Sequence, residues 1–216
     1  MPKRVGRLHV ITTETLQTRF SHAEIAALCA SGGADVVQFR EKRNQTTQTQ
    51  LETLSKMKAA LSEENCCLVV NDRSDLAKAA QADLHIGPND IPPNIARDIL
   101  GPETIIGATA NNLGMLRQLQ GEPIDYVGVG PVFGTRSKQS PAPTLGLEGL
   151  REMVQESPFP VIAIGSIQAD QVQAVLDTGA HGVAVISGIV LQDDPKAACQ
   201  SYRAAIEEFL QTKASP

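Results

Sequence analysis

Short runs rich in β-branched and apolar residues alternate with helix-patterned segments along the chain, and the alternation repeats eight times. The predicted strands cover residues 7–12, 34–40, 66–72, 82–87, 104–110, 125–131, 160–166 and 182–187. The predicted helices cover 22–30, 46–63, 74–80, 92–100, 113–120, 147–155, 169–178 and 195–210. Strands joined through helices run parallel, because each crossover returns the chain to the same end of the sheet. Two runs, Val161-Ile162-Ala163-Ile164 and Val183-Ala184-Val185-Ile186, hold no polar residue, as expected of strands covered on both faces. Eight units in 216 residues leave about 27 residues each, near the lower limit of a (β/α)8 TIM barrel. No composition break divides the chain, so residues 1–216 read as one α/β barrel domain. The rival, an open doubly wound sheet, would carry a glycine-rich turn after its first strand; here Ile11-Thr12-Thr13-Glu14 follows.

Local punctuation agrees with this reading. Ser21 followed three residues later by Glu24 has the spacing of a capping box, and Gly32-Gly33 and Gly179 stand where helices should stop. Apolar residues make up 42% of the chain, enough for a real core. A net charge of −5, no tryptophan, two tyrosines and five phenylalanines argue against a nucleic-acid partner. No run of apolar residues is long enough for a membrane span, and no basic-then-apolar leader is readable. The four cysteines, Cys66-Cys67 among them, have no metal-site spacing and read as reduced core thiols of a cytoplasmic protein. Self-association is left open.

A parallel barrel gathers its chemistry at the C-terminal ends of its strands. Those ends carry Gln38, Arg40 and Lys42 after the second strand, Asn71 and Asp72 after the third, and Asp90 after the fourth. Thr109 and Asn111 end the fifth, the stretch 130–138 follows the sixth, and Gly165-Ser166 and Ser187-Gly188 end the last two. Gln38, Arg40 and Lys42 are two apart and share one strand face. Cations turned into a barrel mouth need an anion. Two carboxylates from neighbouring strand ends suit magnesium, which takes few protein ligands and several waters. Glycine-rich turns after the last two strands match the phosphate site that recurs in such barrels. The layout holds two phosphorylated small molecules, one of them a metal-bound diphosphate. Against this, Arg40 and Lys42 could pair with Glu41 or Asp35 on a solvated loop, and Asp72 could cap the following helix. His85 and His9 read as core histidines, and His181 as a residue of the barrel bottom.

These residues sit in six ordered motifs: Gln38-Phe39-Arg40-Glu41-Lys42; Asn71-Asp72; 82–87 followed by Asp90; 125–131 with Thr135-Arg136-Ser137-Lys138; 162–165; and 179–187. In that order the chain resembles the thiamine phosphate synthase superfamily over nearly its whole length. The resemblance implies a small (β/α)8 barrel that joins a hydroxymethylpyrimidine diphosphate to a thiazole phosphate, releasing diphosphate. It implies that Gln38 holds the aminopyrimidine, and that Arg40, Lys42, Asn71 and Lys138 grip the diphosphate, with Arg40, Lys42 and Lys138 catalytic. Asp72 and Asp90 would bind Mg2+. Thr135 and Ser137 would meet the thiazole, while Gly165, Ile186 and Ser187 would hold its phosphate. In the family the pyrimidine methylene–oxygen bond ionises before the thiazole nitrogen attacks, so stabilising the leaving group matters more than a strong base.

The chain departs from the family pattern at three places. The usual Gly-x-Ser-x-His after the fifth strand is Gly107-Ala108-Thr109-Ala110-Asn111, which keeps a hydroxyl for substrate contact and loses the histidine. The usual Gly-Gly after the seventh is Gly165-Ser166, and the first strand ends without the common aspartate. Two alternatives follow: the related thiazole tautomerase, and a non-catalytic binder of phosphorylated ligands. The tautomerase resembles this chain less, because it typically lacks the full Gln-x-Arg-x-Lys and Asn-Asp set.

Overall fold

The computed structural model describes residues 5–62, 64–134 and 143–214. All eight predicted strands form: β1 (Leu8–Thr12), β2 (Val36–Phe39), β3 (Cys67–Asn71), β4 (Asp83–Ile86), β5 (Ile106–Ala110), β6 (Tyr126–Val129), β7 (Val161–Ile164) and β8 (Gly182–Val185). Each pairs in parallel with the next, and Leu8–Val10 of β1 align with Val183–Val185 of β8, so the sheet closes into a single (β/α)8 barrel. Between them run α1 (His22–Ser31), α2 (Thr47–Leu61), α3 (Ser74–Ala80), α4 (Pro93–Leu100), α5 (Leu113–Gln118), α6 (Gly146–Glu156), α7 (Val172–Leu176), α8 (Ser187–Val190) and α9 (Pro195–Ala214). Among the described residues no helix is long and apolar enough to cross a membrane.

Two apolar bodies result. The larger fills the space between sheet and helices and draws on every strand. The smaller lies inside the barrel and consists of Ile11, Ile105, Tyr126, Ile162 and Ala184, with Ile164 and Ile186 packed on it. Because strands are buried on both faces, β7 and β8 are apolar throughout rather than alternating.

Several local expectations hold. Ser21 caps α1 through a full capping box with Glu24, and Gly33 and Gly179 take positive φ values of 94° and 96°. His181 sits at the lower rim, its Nε2 2.9 Å from the Val5 carbonyl oxygen. Other expectations need correction. The predicted helix 169–178 is a 3-10 turn, Ala169–Gln171, followed by the five residues of α7, and α8 is an extra turn directly after β8. None of the four cysteines forms a disulfide, but only Cys29 and Cys199 are buried, whereas Cys66 and Cys67 are partly exposed.

Candidate active site at the strand C-terminal ends

One cavity of about 430 Å³ opens at the C-terminal end of the barrel. It is lined by Gln38, Arg40, Lys42, Asn71, Asp72, Asp90, Thr109, Gly165, Ile186 and Ser187, so every described residue singled out from sequence faces the same space. Thr135, Ser137 and Lys138 lie outside the described residues.

The charged end is built by β2, β3 and the β4–α4 loop. Lys42 Nζ forms an ion pair with Asp72 Oδ2. Asp72 has φ 67°, a left-handed conformation that is unusual for aspartate, and its backbone N–H is held by the His85 carbonyl at 2.8 Å. It does not cap α3: Arg73 occupies that position and gives no side-chain cap bond. Asp90 Oδ2 accepts from the Gly87 N–H at 2.7 Å. Burial, and then its contact with the Asp72 carboxyl, hold the Asp90 carboxyl above the ordinary range. Burial also presses the Arg40 guanidinium down from its usual value, with Asp72 acting against that shift. Glu41 and Asp35 do not neutralise Arg40 or Lys42. Glu41 binds Arg43, and Asp35 binds Arg203.

The floor holds His85, which the sequence places in the core, and Tyr126, which the sequence does not single out. His85 Nδ1 lies 3.0 Å from the Tyr126 hydroxyl and His85 Nε2 lies 2.9 Å from Thr109 Oγ1, so a polar chain crosses the barrel from β6 through β4 to β5. Gly107 makes room for it, because a β-carbon there would stand 2.1 Å from Tyr126 Cζ. The only sequence signal was a histidine interrupting Asp83-Leu84-His85-Ile86 and a glycine two residues before Thr109. His9 lies deeper, edge-on to Tyr126 at 5.3 Å, and burial lowers its pKa to about 4. Asn111, standing where the family has histidine, also lines the cavity.

The opposite end is formed by the loops after β6, β7 and β8. Gly165 has φ +119°, and a β-carbon on it would fall 2.6 Å from Pro131 Cα, so glycine is required for this close approach. Ser166 follows with φ 51°. The Val132 and Phe133 N–H groups donate to the Ile164 and Gly165 carbonyls at 2.9 and 3.0 Å, which locks the ends of β6 and β7 together. Ser187 opens α8, and Tyr202 of α9 secures the segment beneath by donating to the Ile167 carbonyl at 2.9 Å.

No group of three or more His, Cys, Asp or Glu side chains is placed to bind a metal among the described residues. The Asp72 and Asp90 carboxyls, which both line the cavity, are a pair and fall below that number. Their chemistry fits an oxygen-seeking ion that completes its shell with water and phosphate.

Comparison with known proteins follows the same line. A family model described as TMP-TENI, thiamine monophosphate synthase, matches residues 8–189. A thiamine-phosphate synthase from Salinibacter ruber is 42% identical over 209 residues, 96% of this chain and 92% of the relative. One from Chloroflexus aurantiacus is 38% identical over 201 residues, 93% and 92% of the two chains. The solved structure of a thiamine phosphate pyrophosphorylase from Pyrococcus furiosus superposes with a TM-score of 0.84 at 35% identity, covering 94% of this chain and 96% of that one. With its barrel, its cavity and relatives matched along nearly their full lengths, the chain belongs to the thiamine monophosphate synthase family.

Proposed function

We propose that this protein is a thiamine-phosphate synthase, a transferase that couples a hydroxymethylpyrimidine diphosphate to a thiazole phosphate and releases diphosphate. The observation that carries the reading is the single cavity with cations and paired carboxylates at one end and glycine-bearing turns at the other. Gln38, which lines the cavity, orients the aminopyrimidine. Arg40 and Lys42, with Asn71, hold the diphosphate, and Lys138 joins them. Thr109 and His85 face the ring, Thr135 and Ser137 meet the thiazole, and Gly165, Ile186 and Ser187 hold its phosphate.

Asp72 and Asp90 would hold Mg2+, which when bound would neutralise charge on the leaving diphosphate. The residues of this chain do the rest. Arg40 and Lys42 draw electron density toward the departing oxygens, and the apolar walls Ile11, Ile162 and Ile164 keep water from the cation left on the pyrimidine methylene. The thiazole nitrogen then closes the new carbon–nitrogen bond. No general base is called for in this sequence. A cytoplasmic setting is part of the proposal, and the closed barrel supports residues 1–216 as one domain.

The test is incubation of purified protein with both substrates and magnesium, with product followed by mass spectrometry and a chelator control. Thiamine phosphate that disappears with chelator is the expected result. Folded protein that makes none overturns the reading. Asn111 at the cavity and the left-handed Ser166 favour a non-catalytic binder as the second reading, and ligand-raised Tm without product would establish it. Conversion of the carboxylated thiazole phosphate would instead mark a tautomerase.

A further inference from the structure

Past the end of β2 the chain keeps a two-residue alternation although it has left the sheet. Gln38, Arg40 and Lys42 face the cavity. Phe39, Glu41 and Arg43 face a cluster behind it. The Phe39 ring meets His22 edge-on with centroids 4.7 Å apart. The Glu41 carboxylate accepts from the Arg43 backbone N–H at 2.7 Å and from Arg43 Nε at 3.0 Å, and lies 3.5 Å from His22 Nε2. Arg43 Nη1 reaches on to Glu14 at 2.7 Å, and Glu14 accepts the backbone N–H of His22, the first residue of α1, at 3.0 Å.

The cluster is buried where it matters, with Glu41 3% and His22 1% exposed at the side chain. Burial pushes the Glu41 carboxyl up, and its bonds to Arg43 more than cancel that push, so it stays ionised. Thr12 Oγ1 donates to the Gln38 carbonyl at 3.1 Å, so its 2.6 Å contact with His22 is accepted from Nδ1–H. His22 Nε2 is left without a hydrogen-bond partner and faces Glu41. A buried carboxylate is costly unless it is bound. Neither Glu14, His22, Glu41 nor Arg43 lines the cavity, and no step of the proposed reaction uses them. Their joint mechanical effect falls on the backbone of Arg40-Glu41-Lys42, which is clamped from the rear.

We propose that Glu41 is a positioning residue: bound to Arg43 and packed against His22, it fixes the backbone between Arg40 and Lys42 and so aims both cations into the cavity. The inference rests on Arg40 and Lys42 as the diphosphate grip. Loosening Glu41 then weakens one end of the site and spares the other.

The experiment compares wild type, Glu41→Ala, Glu41→Gln and Arg40→Ala by calorimetric binding of inorganic diphosphate with magnesium, by KM for each substrate, and by Tm. Glu41→Ala should weaken diphosphate binding and raise the pyrimidine-diphosphate KM about tenfold, as loss of a hydrogen bond to a charged group gives. The thiazole-phosphate KM should stay within about twofold. Glu41→Gln, still able to accept one Arg43 bond, should fall between, and it carries the test if the alanine variant does not fold. Equal rises in both KM values, or unchanged diphosphate binding in a folded Glu41 variant, overturn the positioning role. Arg40→Ala separates the two levels. If Arg40→Ala binds diphosphate as wild type does, the grip itself is misassigned and the inference falls with it. If Arg40→Ala is weakened and the Glu41 variants are not, only the inference falls.

Discussion

Replacing Gly107 by alanine probes how the cavity floor is built. The new β-carbon would stand 2.1 Å from Tyr126 Cζ and 2.4 and 2.5 Å from its Cε1 and Cε2. Ordinary carbon contacts begin at about 3.5 Å, so the ring must move by roughly 1 Å or more. It has little room, since Tyr126 is 2% exposed, His9 lies edge-on at 5.3 Å, and its hydroxyl is bonded to His85 at 3.0 Å. Overpacking of this kind costs about 1–3 kcal/mol, and losing the Tyr126–His85 bond adds about 1 kcal/mol. A total on the order of 3 kcal/mol corresponds to a Tm lowered by about 6–12 °C for a chain of this size. Thermal unfolding followed by circular dichroism measures it. The companion variant Tyr126→Leu vacates the space, so the double variant should be less destabilised than the two singles predict by about 1 kcal/mol or more. A Gly107→Ala melt within about 2 °C of wild type, or strictly additive singles, would refute the steric argument.

Three further outcomes are expected. His9 titrates near 4 when folded and near 6.5 when unfolded, so between those values the unfolded chain binds the extra proton. Its contribution is complete above about pH 6.5 and is lost as pH falls toward 4, by about 3 kcal/mol in all; urea titrations of wild type and His9→Gln should differ in slope across that window, and equal slopes would contradict it. Ser21→Ala removes a cap in which Ser21 Oγ accepts from the Glu24 N–H at 3.3 Å while Glu24 accepts from the Ser21 N–H at 2.8 Å. A loss of about 1 kcal/mol and about 2–4 °C is expected, with Ser21→Asn close to wild type. Asp72→Asn takes away one carboxylate of the Asp72–Asp90 pair and the partner of Lys42, and should raise the magnesium needed for half-maximal rate at least about tenfold; an unchanged requirement would remove Asp72 from the metal site.

The strands were legible because each is a short, mostly apolar run bounded by helix signals, as a parallel strand covered on both faces requires. The same property hides which side chains point inward. Val161-Ile162-Ala163-Ile164 reads alike on both faces, yet Ile162 and Ile164 line the cavity and Ala163 packs under the helices. Tyr126 and His85 were missed as a pair for this reason, since their hydrogen bond depends on barrel closure and on the gap at Gly107 rather than on any local period. The polar strand ends were easier, because Gln38, Arg40, Lys42, Asn71 and Asp72 interrupt or follow apolar runs at positions where only the mouth can accept them. The partners of those residues were not readable. Glu41 is the sequence neighbour of both cations but binds Arg43, while Asp72, 30 positions on, takes Lys42. The seventh helix was read as regular although its first turn is 3-10, because a three-residue change of pitch leaves no mark on a hydrophobic period.

Closure of the barrel also fixes when the fold can be completed. Arg7, at the entry to β1, donates to the carbonyl of His181, 174 positions later, and Leu8 aligns with Val183. During synthesis β1 can pair with β2 early, but its other edge stays open until β8 leaves the ribosome. For that interval an apolar strand presents unpaired N–H and C=O groups, a surface that invites pairing with other chains. Contacts of such sequence separation are slow to form, because loop closure must precede any gain from them. Variants that weaken the β1–β8 seam should therefore reveal themselves first as poor yield from nascent chains, before any loss of stability in the molecules that do fold.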